Sequence, residues 1–402
     1  MIAMQKTAGP ESVGRINDRL AMDLLLRHGP LTRKQLRSLT GMAQPTTAVL
    51  IDRLCNRGLV EPGGESKEAR RGPNAQKYQI KAGSAHVAVA RLNALEIAAA
   101  IADVTGRVVA EYRCPIQDAS RPVSEVQTAL DIVMRDAGLT GAQLDGIVLG
   151  TPGSVNPSTG DVSYVSEHPE WRGSVKRPLE EKLGQSVHIE NQLKLAGLAE
   201  LTYGRGFERD SLVLLSVGPG VGMSIIIGRD LWRGASGGAG EIAYLPVPEA
   251  DVPRIDVGQN HVTGGFGDLI NTEALQTLVD QAGFAGITIS DAVRQAAKSP
   301  DEQHPLICEI GRRIAIGIAS VSAVFDPGLV VLTGSVARAG GQRLSDIVEA
   351  KLAQMSPWHT EIQMSGVEGD AVIKGAIVAA LDPIHNAMWG PKPGWRPSQS
   401  PV

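Results

Sequence analysis

Three glycines near the start of the chain are spaced as helix stops, and this constrains the fold more than any other feature of the sequence. The stops within the first sixty residues are Gly29, Gly41 and Gly58. Because glycine favours the left-handed backbone that follows a helix, each of them is expected to end one. The sequence therefore predicts three short helices in succession.

The residues before the first two stops have the features of helices. Ile16, Leu20 and Leu24 recur at intervals of four, which predicts an apolar stripe on the first helix. Thr32 and Gln35 form a capping-box pattern, which predicts the start of the second helix.

The third helix is expected to begin near Pro45, a residue that suits the first turn. Its inward-facing positions are predicted to be Thr47, Leu50, Ile51 and Leu54. A strand follows at 59–60, and after a polar, basic stretch the chain returns as a second strand at 78–80. Three helices followed by a two-stranded wing are the order of a winged helix-turn-helix.

Charge is distributed unevenly along the chain. The first 80 residues hold 13 Lys and Arg against 7 Asp and Glu, although all 402 residues together have a formal net charge of −4. A small basic module ahead of a large acidic one is typical of a nucleic-acid-binding domain fused to another domain. We therefore predict a DNA-binding domain over residues 1–80. The alternative is a helical dimerisation bundle with a solvated basic loop.

The winged helix-turn-helix geometry predicts which side chains meet DNA. The third helix lies in the major groove with its first residues near the bases, which indicates Gln44, Thr46 and Thr47. Cationic side chains suit phosphates, which position a protein without specifying a sequence; those expected there are Arg33, Lys34, Arg53 and Arg57. Arg70 and Arg71 belong to a basic arm that suits a minor groove.

Beyond Gly83 the pattern changes to strands that alternate with helices, as in an α/β protein with mixed sheets. The predicted strands are 87–90, 96–104, 107–113, 146–150, 211–217, 223–227 and 329–332. The predicted helices of this part are 123–137 and 306–325. A glycine-rich turn at 218–222 would let backbone N–H groups approach a phosphate, but a tight hairpin is equally consistent with it.

Four longer stretches are together similar to the ROK family of repressors, uncharacterised reading frames and sugar kinases. They are Thr-Pro-Gly-Ser-Val-Asn-Pro at 151–157, Leu-Ser-Val-Gly-Pro-Gly-Val-Gly-Met-Ser-Ile-Ile-Ile-Gly at 215–228, Arg-Gly-Ala-Ser-Gly-Gly-Ala-Gly-Glu-Ile at 233–242 and Val-Leu-Thr-Gly-Ser-Val at 331–336. The resemblance covers nearly the whole chain, because family repressors carry a winged helix-turn-helix before a sugar-kinase-like body.

The resemblance implies an α/β chain in which the winged helix-turn-helix precedes a two-lobed, actin-like ATPase fold. We expect the DNA-binding domain at 1–80, the first lobe at 84–200, the second lobe with the oligomerisation surface at 201–390, and a disordered tail at 391–402. It also implies a sugar or effector cleft between the lobes and assembly into a homodimer or homotetramer.

The body departs from the kinases of the family at the positions of catalysis. Their Glu-Asn-Asp-like run supplies a carboxylate base, but here the run is Glu190-Asn191-Gln192, and an amide cannot take a proton at neutral pH. Their first phosphate loop is matched by 89–94, where Arg91 replaces small or acidic residues. Pro219 removes one N–H from the second loop. We expect no catalytic residues and no cofactor.

The structural zinc of the family uses one His and three Cys. The matching positions here are Tyr244, His261, Thr263 and Asp268, which are a poor zinc set. We therefore expect no metal.

The sugar-binding positions of the family are partly kept. Asn191 and Glu241 match its hydroxyl-binding residues, whereas Gln192 and Tyr244 replace an Asp and a His. Ile270 and Glu167 occupy two further positions of the set. The candidate ligand-binding residues are therefore Asn191, Glu241, Gln192 and Tyr244, with packing alone as the alternative for the Asn191–Glu241 pair.

These observations lead to three hypotheses. The first is a sequence-specific transcriptional regulator, a repressor of carbohydrate or related metabolic genes, that binds a double-stranded operator and responds to a sugar or sugar-phosphate effector without kinase activity. The second is a sugar kinase with an accessory DNA-binding head. The third is an effector-free DNA-binding scaffold. The three cysteines lie far apart, and neither a signal peptide nor a membrane span is recognised, so the cytoplasm is the expected location.

Overall fold

The computed structural model describes residues 10–65, 75–93, 95–163, 171, 173, 175–256 and 261–390. The basic arm with Arg70 and Arg71, the position assigned to Glu167 and the tail at 391–402 lie outside the described residues. Along the described chain, a small head is followed by two sheets with their helices.

The head has three helices and an antiparallel sheet of order β1-β3-β2. Its elements are α1 (Pro10–His28), β1 (Leu31–Thr32), α2 (Arg33–Thr40), α3 (Gln44–Asn56), β2 (Val60–Glu65) and β3 (Gln76–Ile80). The capping box at Thr32 and the left-handed cap at Gly41 form as predicted. The predicted order of a winged helix-turn-helix is confirmed.

The inward face predicted for the third helix is also confirmed. The buried residues of α3 are Thr47, Leu50, Ile51 and Leu54. Its apolar members share one core with Met22 of α1 and Leu36 of α2. Burying this face of α3 leaves its opposite face in solvent.

The apolar stripe predicted for the first helix is wrong at two of its three positions, whereas Leu24 is partly buried against the core of the head. Ile16 and Leu20 are 49% and 39% exposed. The buried positions of α1 are Asp18, Arg19, Ala21, Met22 and Leu25. The reason is that α1 contacts a helix from the far end of the chain, residues 371–389, as well as the other helices of the head. To bury both contacts, α1 presents a different face from the one that the apolar spacing predicts.

The first sheet has the order β10-β7-β4-β5-β6, with β10, β7 and β4 parallel. The elements of this part are β4 (His86–Leu92), β5 (Glu96–Asp103), β6 (Val108–Pro115), α4 (Pro122–Ala137), β7 (Gly146–Thr151), β8 (Ser154–Val155), β9 (Val162–Ser163), α5 (Lys176–Leu183), β10 (His188–Asn191) and α6 (Gln192–Tyr203). One face of the sheet packs against α4 and α5, and the other against α6 and the C-terminal helix. Burial of both faces explains why its central strands are almost wholly apolar.

The second sheet has the order β13-β12-β11-β16-β17. The elements of this part are β11 (Leu212–Val217), β12 (Val221–Ile227), β13 (Asp230–Leu231), β14 (Arg254–Asp256), β15 (His261–Thr263), α7 (Phe266–Ile270), α8 (Thr272–Gln281), α9 (Ile289–Lys298), α10 (Pro305–Phe325), β16 (Leu329–Thr333), α11 (Ser335–Leu352), β17 (Glu361–Met364) and α12 (Ala371–Trp389). Helix α6 joins the two sheets, because its Leu195 packs in the core on the first sheet and its Leu201 in the core on the second.

Helix α12 leaves the second sheet and returns to the first. The sequence analysis places residues up to 390 in the second lobe. In the structure, however, Ile377 of α12 packs with Val87 and Val89 of β4. This contact covers a face of the first sheet that would otherwise be exposed. Trp389 at the end of α12 is buried in the core of the head. Between these two contacts, Pro383 lies inside the helix. The head is therefore anchored to the body by the last helix.

We predict that Trp389→Ala destabilises the head. The side chain is 1% exposed, and removing a buried aromatic ring costs about 3–5 kcal/mol of the free energy of unfolding. Urea unfolding followed by circular dichroism measures the change. Trp232, which is 54% exposed, supplies the control substitution Trp232→Ala, and equal losses in the two variants would contradict the packing described here.

Candidate functional site

Four of the residues predicted to contact DNA are exposed on the head. Gln44 and Thr46 lie in solvent at the start of α3, and Lys34 is exposed on α2. The Arg33 guanidinium forms an ion pair of 2.6 Å with Asp52 of α3 and lies over the ring of Tyr78 on the wing strand β3. These side chains are available to a duplex placed along the outer face of α3.

Thr47 is placed differently from its neighbours. Its side chain is 3% exposed, and its hydroxyl donates to the carbonyl of Ala43 at 3.2 Å. A base contact would require the helix to turn and lose its core packing. The position of Thr47 fits the inward face of α3 and not the predicted contact with DNA.

Arg53 and Arg57 form ion pairs within the head, although their side chains remain 40% and 42% exposed. Both guanidinium groups contact the Asp18 carboxylate of α1, and the Arg57 to Asp18 distance is 3.3 Å. Arg57 also donates to the carbonyl of Met388 in α12. Both side chains thus help to hold α3 to α1 and α12, at the end of α3 remote from Gln44. Their contact with phosphates stays a prediction.

The first polar groups of the candidate ligand site lie where β10 ends and α6 begins. Asn191 caps α6: its side-chain oxygen accepts from the N–H groups of Leu193 and Lys194, and its amide donates to the carbonyl of Gly153 at 2.7 Å. The amide of Gln192 donates to the carbonyl of Leu92 in β4. Both predicted ligand-binding amides therefore already make hydrogen bonds to the backbone.

Glu190 is a buried carboxylate beside them. Arg233 donates to it at 2.6 Å, and the N–H of Asn191 donates at 3.0 Å. Burial alone would raise the pKa of Glu190, but the His188 ring 3.8 Å away, the Arg233 charge and the hydrogen bonds from Arg233 and the N–H of Asn191 together lower it to about 2. Glu190 is therefore a permanent negative charge of the cleft at neutral pH.

Lys194 lies between this carboxylate and Glu241. Its side chain is buried, and its ammonium group donates to the carbonyl of Gly237. Burial raises the pKa of Glu241, although the charge of Lys194 opposes the shift. Within the described residues, no hydrogen-bond donor reaches the Glu241 carboxylate. Tyr244 follows in the same turn and is partly buried.

Two important residues are missed by sequence reasoning. Asp18 and Lys194 each lie among residues that become buried, and both are charged. The signal that could have revealed them is a single charge inside an otherwise apolar helical segment, because a buried charge requires a partner.

Arg91 fills the region that corresponds to the first phosphate loop of the kinases. It is buried, contacts Glu96, and pairs with Asp370 at 3.0 Å. Arg113 pairs with the same two carboxylates at 3.0 and 3.1 Å. Asp370 also caps α12. The space is therefore occupied by a closed network of two arginines and two carboxylates.

The glycine-rich turn between β11 and β12 is a tight hairpin. The strands pair as far as Val217 and Val221, and the N–H of Gly218 donates to the carbonyl of Gly220 at 3.0 Å. The carbonyl of Pro219 accepts from Thr272. Of the two interpretations left open by the sequence, the turn adopts the hairpin.

Of the four residues that match the family's zinc ligands, the side chains of Tyr244, Thr263 and Asp268 are described. Asp268 accepts from the N–H of Gly264 at 2.7 Å. The side chain of His261 lies outside the described residues. Over the described residues, no three His, Cys, Asp or Glu side chains lie together as they would around a metal ion.

The two sheets joined by α6 define an actin-like fold of two lobes behind a winged helix-turn-helix. The model of the ROK family matches residues 91–382, which are most of the chain. The protein therefore belongs to the ROK family. Within the described part of the chain, no helix is long and apolar enough to cross a membrane.

Several relatives are similar over most of their length. A putative xylose repressor of Caldicellulosiruptor sp. (strain Rt8B.4) is 23% identical over 391 residues, 92% of this chain and 96% of the relative. The xylose repressor of Bacillus subtilis (strain 168) is 23% identical and covers 81% of this chain and 83% of the relative. The DNA-binding transcriptional dual regulator NagC of Escherichia coli (strain K12) is 22% identical, covering 81% and 82%.

Two solved structures show the same fold. A ROK family transcriptional regulator, described as a homolog of the E. coli MLC protein, superposes with a TM-score of 0.69 and 20% identity, covering 94% of this chain and 97% of the other. A ROK hexokinase from Thermus thermophilus gives a TM-score of 0.63 and 24% identity, covering 75% and 99%. The regulator thus matches a larger share of the chain than the hexokinase does.

We predict that the Glu190 charge stabilises the fold in a pH-dependent way. Because its pKa of about 2 lies below the value of about 4.3 for an unfolded glutamate, the stabilisation is present above pH 4 and is lost as the pH falls towards 2. Glu190→Gln should lower the free energy of unfolding by about 3 kcal/mol at pH 7, measured in urea.

The difference between the wild type and Glu190→Gln should shrink at pH 3. The control is Glu181→Gln, whose carboxylate forms an exposed pair with Arg177 and should change the free energy by less than about 1 kcal/mol. A difference for Glu190→Gln that stays constant from pH 7 to pH 3 would count against the charged, paired state.

Proposed function

We propose that the protein is a sequence-specific DNA-binding transcriptional repressor of sugar metabolism. The observation that carries this proposal is the winged helix-turn-helix, whose α3 presents Gln44 and Thr46 to solvent. Relatives named as xylose repressors and as NagC support it, and the match to a putative xylose repressor spans 92% of the chain, too much to leave out the head. Two heads must meet two half-sites together, so the active form is a homodimer or homotetramer.

In this proposal the exposed residues of the head divide into two groups. Gln44 and Thr46 read base edges in the major groove, because an amide can make two hydrogen bonds to adenine. Arg33, Lys34 and the arm with Arg70 and Arg71 contact phosphates or the minor groove. Thr47 is buried and supports α3 from within, whereas Arg53 holds α3 to α1 through its ion pair with Asp18.

The cleft binds a sugar or sugar-phosphate effector through Asn191, Gln192, Glu241 and Tyr244. The Glu241 carboxylate supports this assignment, because it is partly buried beside Lys194 and receives no hydrogen bond among the described residues. A hydroxyl group of a sugar is a suitable donor to it. The effector alters the repressor through its different affinity for the open and closed lobes.

The body has no kinase activity in this proposal. Gln192 cannot act as a base, and its amide is bound to the carbonyl of Leu92. Arg91 and its carboxylates occupy the region of the first phosphate loop. A second candidate function, an effector-free DNA-binding scaffold, is favoured by one observation: the amides of Asn191 and Gln192 already bind the backbone.

We predict that Gln44→Ala weakens discrimination between operator and random DNA by roughly tenfold, because one bidentate base contact is worth about 1–3 kcal/mol. The operator is first selected from random duplexes by the full chain. Lys34→Ala is the matched variant on the same surface: it should weaken binding to both kinds of DNA equally and reduce the salt dependence. Equal losses on both DNAs in Gln44→Ala would argue against base reading.

We further predict that a sugar or sugar phosphate from a panel of hexoses, pentoses and their phosphates raises the melting temperature, and that no compound is phosphorylated when ATP is added. Glu241→Gln should remove the thermal shift, whereas Glu273→Gln, at an exposed position of α8, should retain it. Turnover above background would favour the accessory-head kinase, and a panel without any thermal shift would favour the scaffold.

A further inference from the structure

The outer face of α3 carries more than the two polar residues at its start. Because the buried residues of this helix share one side, the opposite side faces solvent. Pro45, Ala48 and Val49 lie there at positions i, i+3 and i+4, and together they form the outer strip. Val49 is 61% exposed, more than any other large apolar side chain in the described part of the head. The centre of the outer face of α3 is therefore apolar.

The side chains of the outer strip can neither donate nor accept a hydrogen bond. Gln44 and Thr46, which can do both, lie at the first turn of α3. In the major groove, nearly all groups on the base edges are donors or acceptors, and each one buried against an apolar side chain loses its bond to water. The exception is the C5-methyl group of thymine, which is apolar. A duplex that places its bases against the outer strip is therefore bound best when a thymine lies there.

The groups around the outer strip suit a polyanion. Arg37 of α2 donates to the side-chain oxygen of Gln44 at 3.3 Å, and because this amide is neutral, the positive charge remains available to a phosphate. Asp52 continues the outer face beyond Val49, and its ion pair of 2.6 Å with Arg33 balances its charge. A second copy packed symmetrically on the strip would bring the like charges of two Arg37 side chains together, which disfavours a dimer at this surface. An apolar centre with a cationic margin favours DNA as the occupant.

We propose that Val49 is a further base-reading residue of the head, which contacts the C5-methyl group of a thymine in the major groove and so specifies an A·T pair. Pro45 and Ala48 border the same part of the groove. This role of Val49 rests on the proposed binding of DNA, and it adds a contact that is independent of the hydrogen bonds of Gln44 and Thr46. Each half-site of the operator then carries a thymine at the position that faces Val49.

The test compares thymine with uracil, which lacks the C5-methyl group but keeps the same hydrogen-bonding groups. The full chain first selects its operator from random duplexes. Duplexes with deoxyuridine at each thymine in turn are then titrated at constant salt by fluorescence anisotropy, with the wild type, Val49→Ala and Ile16→Ala. Ile16 is the matched control, because it is also β-branched and is 49% exposed, but on α1. Circular dichroism verifies that both variants are folded.

We expect uracil at one thymine of a half-site to raise the Kd of the wild type by roughly fourfold, because the burial of one methyl group is lost. In Val49→Ala the same replacement should change Kd by less than about twofold, since the side chain that buries the methyl group is shortened. Ile16→Ala should keep the ratio of the wild type. Comparing the ratio of the two Kd values within each variant removes any general weakening of binding by the substitution.

Two results would overturn the role of Val49 and leave the proposed DNA binding intact. They are the absence of any thymine at which uracil weakens binding, and an equal uracil ratio in the wild type and Val49→Ala. A change of oligomeric state in Val49→Ala without DNA, measured by sedimentation, would show that a second copy covers the strip and would also overturn it. If the full chain selects no sequence from random duplexes, the proposed function fails and this role of Val49 fails with it.

Discussion

The arrangement of the molecule depends on the burial of one sheet face by a helix that is distant in sequence. The face of β4 that bears Val87 and Val89 is apolar, and α12 covers it together with α6. Each end of α12 makes a further contact: Asp370 at its start pairs with Arg91 and Arg113, and Trp389 at its end completes the core of the head. Hydrophobic burial of α12 on the sheet thus positions the polar network at the start of this helix and the head at its end.

The polar network has a chemical consequence for the body. Arg91 and Arg113 each face Glu96 and Asp370, so the charges of the four groups are balanced within the network. A nucleotide phosphate placed there would have to separate these pairs, leaving buried charges without partners. The network thus occupies the region that the sequence resemblance assigns to the first phosphate loop of the kinases, within a fold that keeps its two lobes. Fold alone does not decide the chemistry of such a body.

The head was predictable from local signals, because caps and glycine stops act within a few residues. The capping box at Thr32, the left-handed Gly41 and the inward face of α3 all follow from spacing alone. The orientation of α1 was not predictable from local signals, because it depends on α12, more than 350 residues away along the chain. The cleft was predictable only as a set of candidate residues. That Asn191 and Gln192 bind the backbone, and that Lys194 lies between Glu190 and Glu241, depends on the packing of α6 against strands from both sheets.

Pro383 gives α12 unequal stiffness along its length of about 28 Å. A proline inside a helix supplies no N–H to the preceding turn, and helices bend most easily at such a point. It lies between Leu381, which packs on the sheet, and Trp389, which packs in the core of the head. Directly beyond it, Ile384 packs against the cores of both the sheet and the head, and the His385 ring lies 2.8 Å from the carbonyl of Val104, so the turn that lacks a hydrogen bond is held in place by contacts with both parts of the molecule.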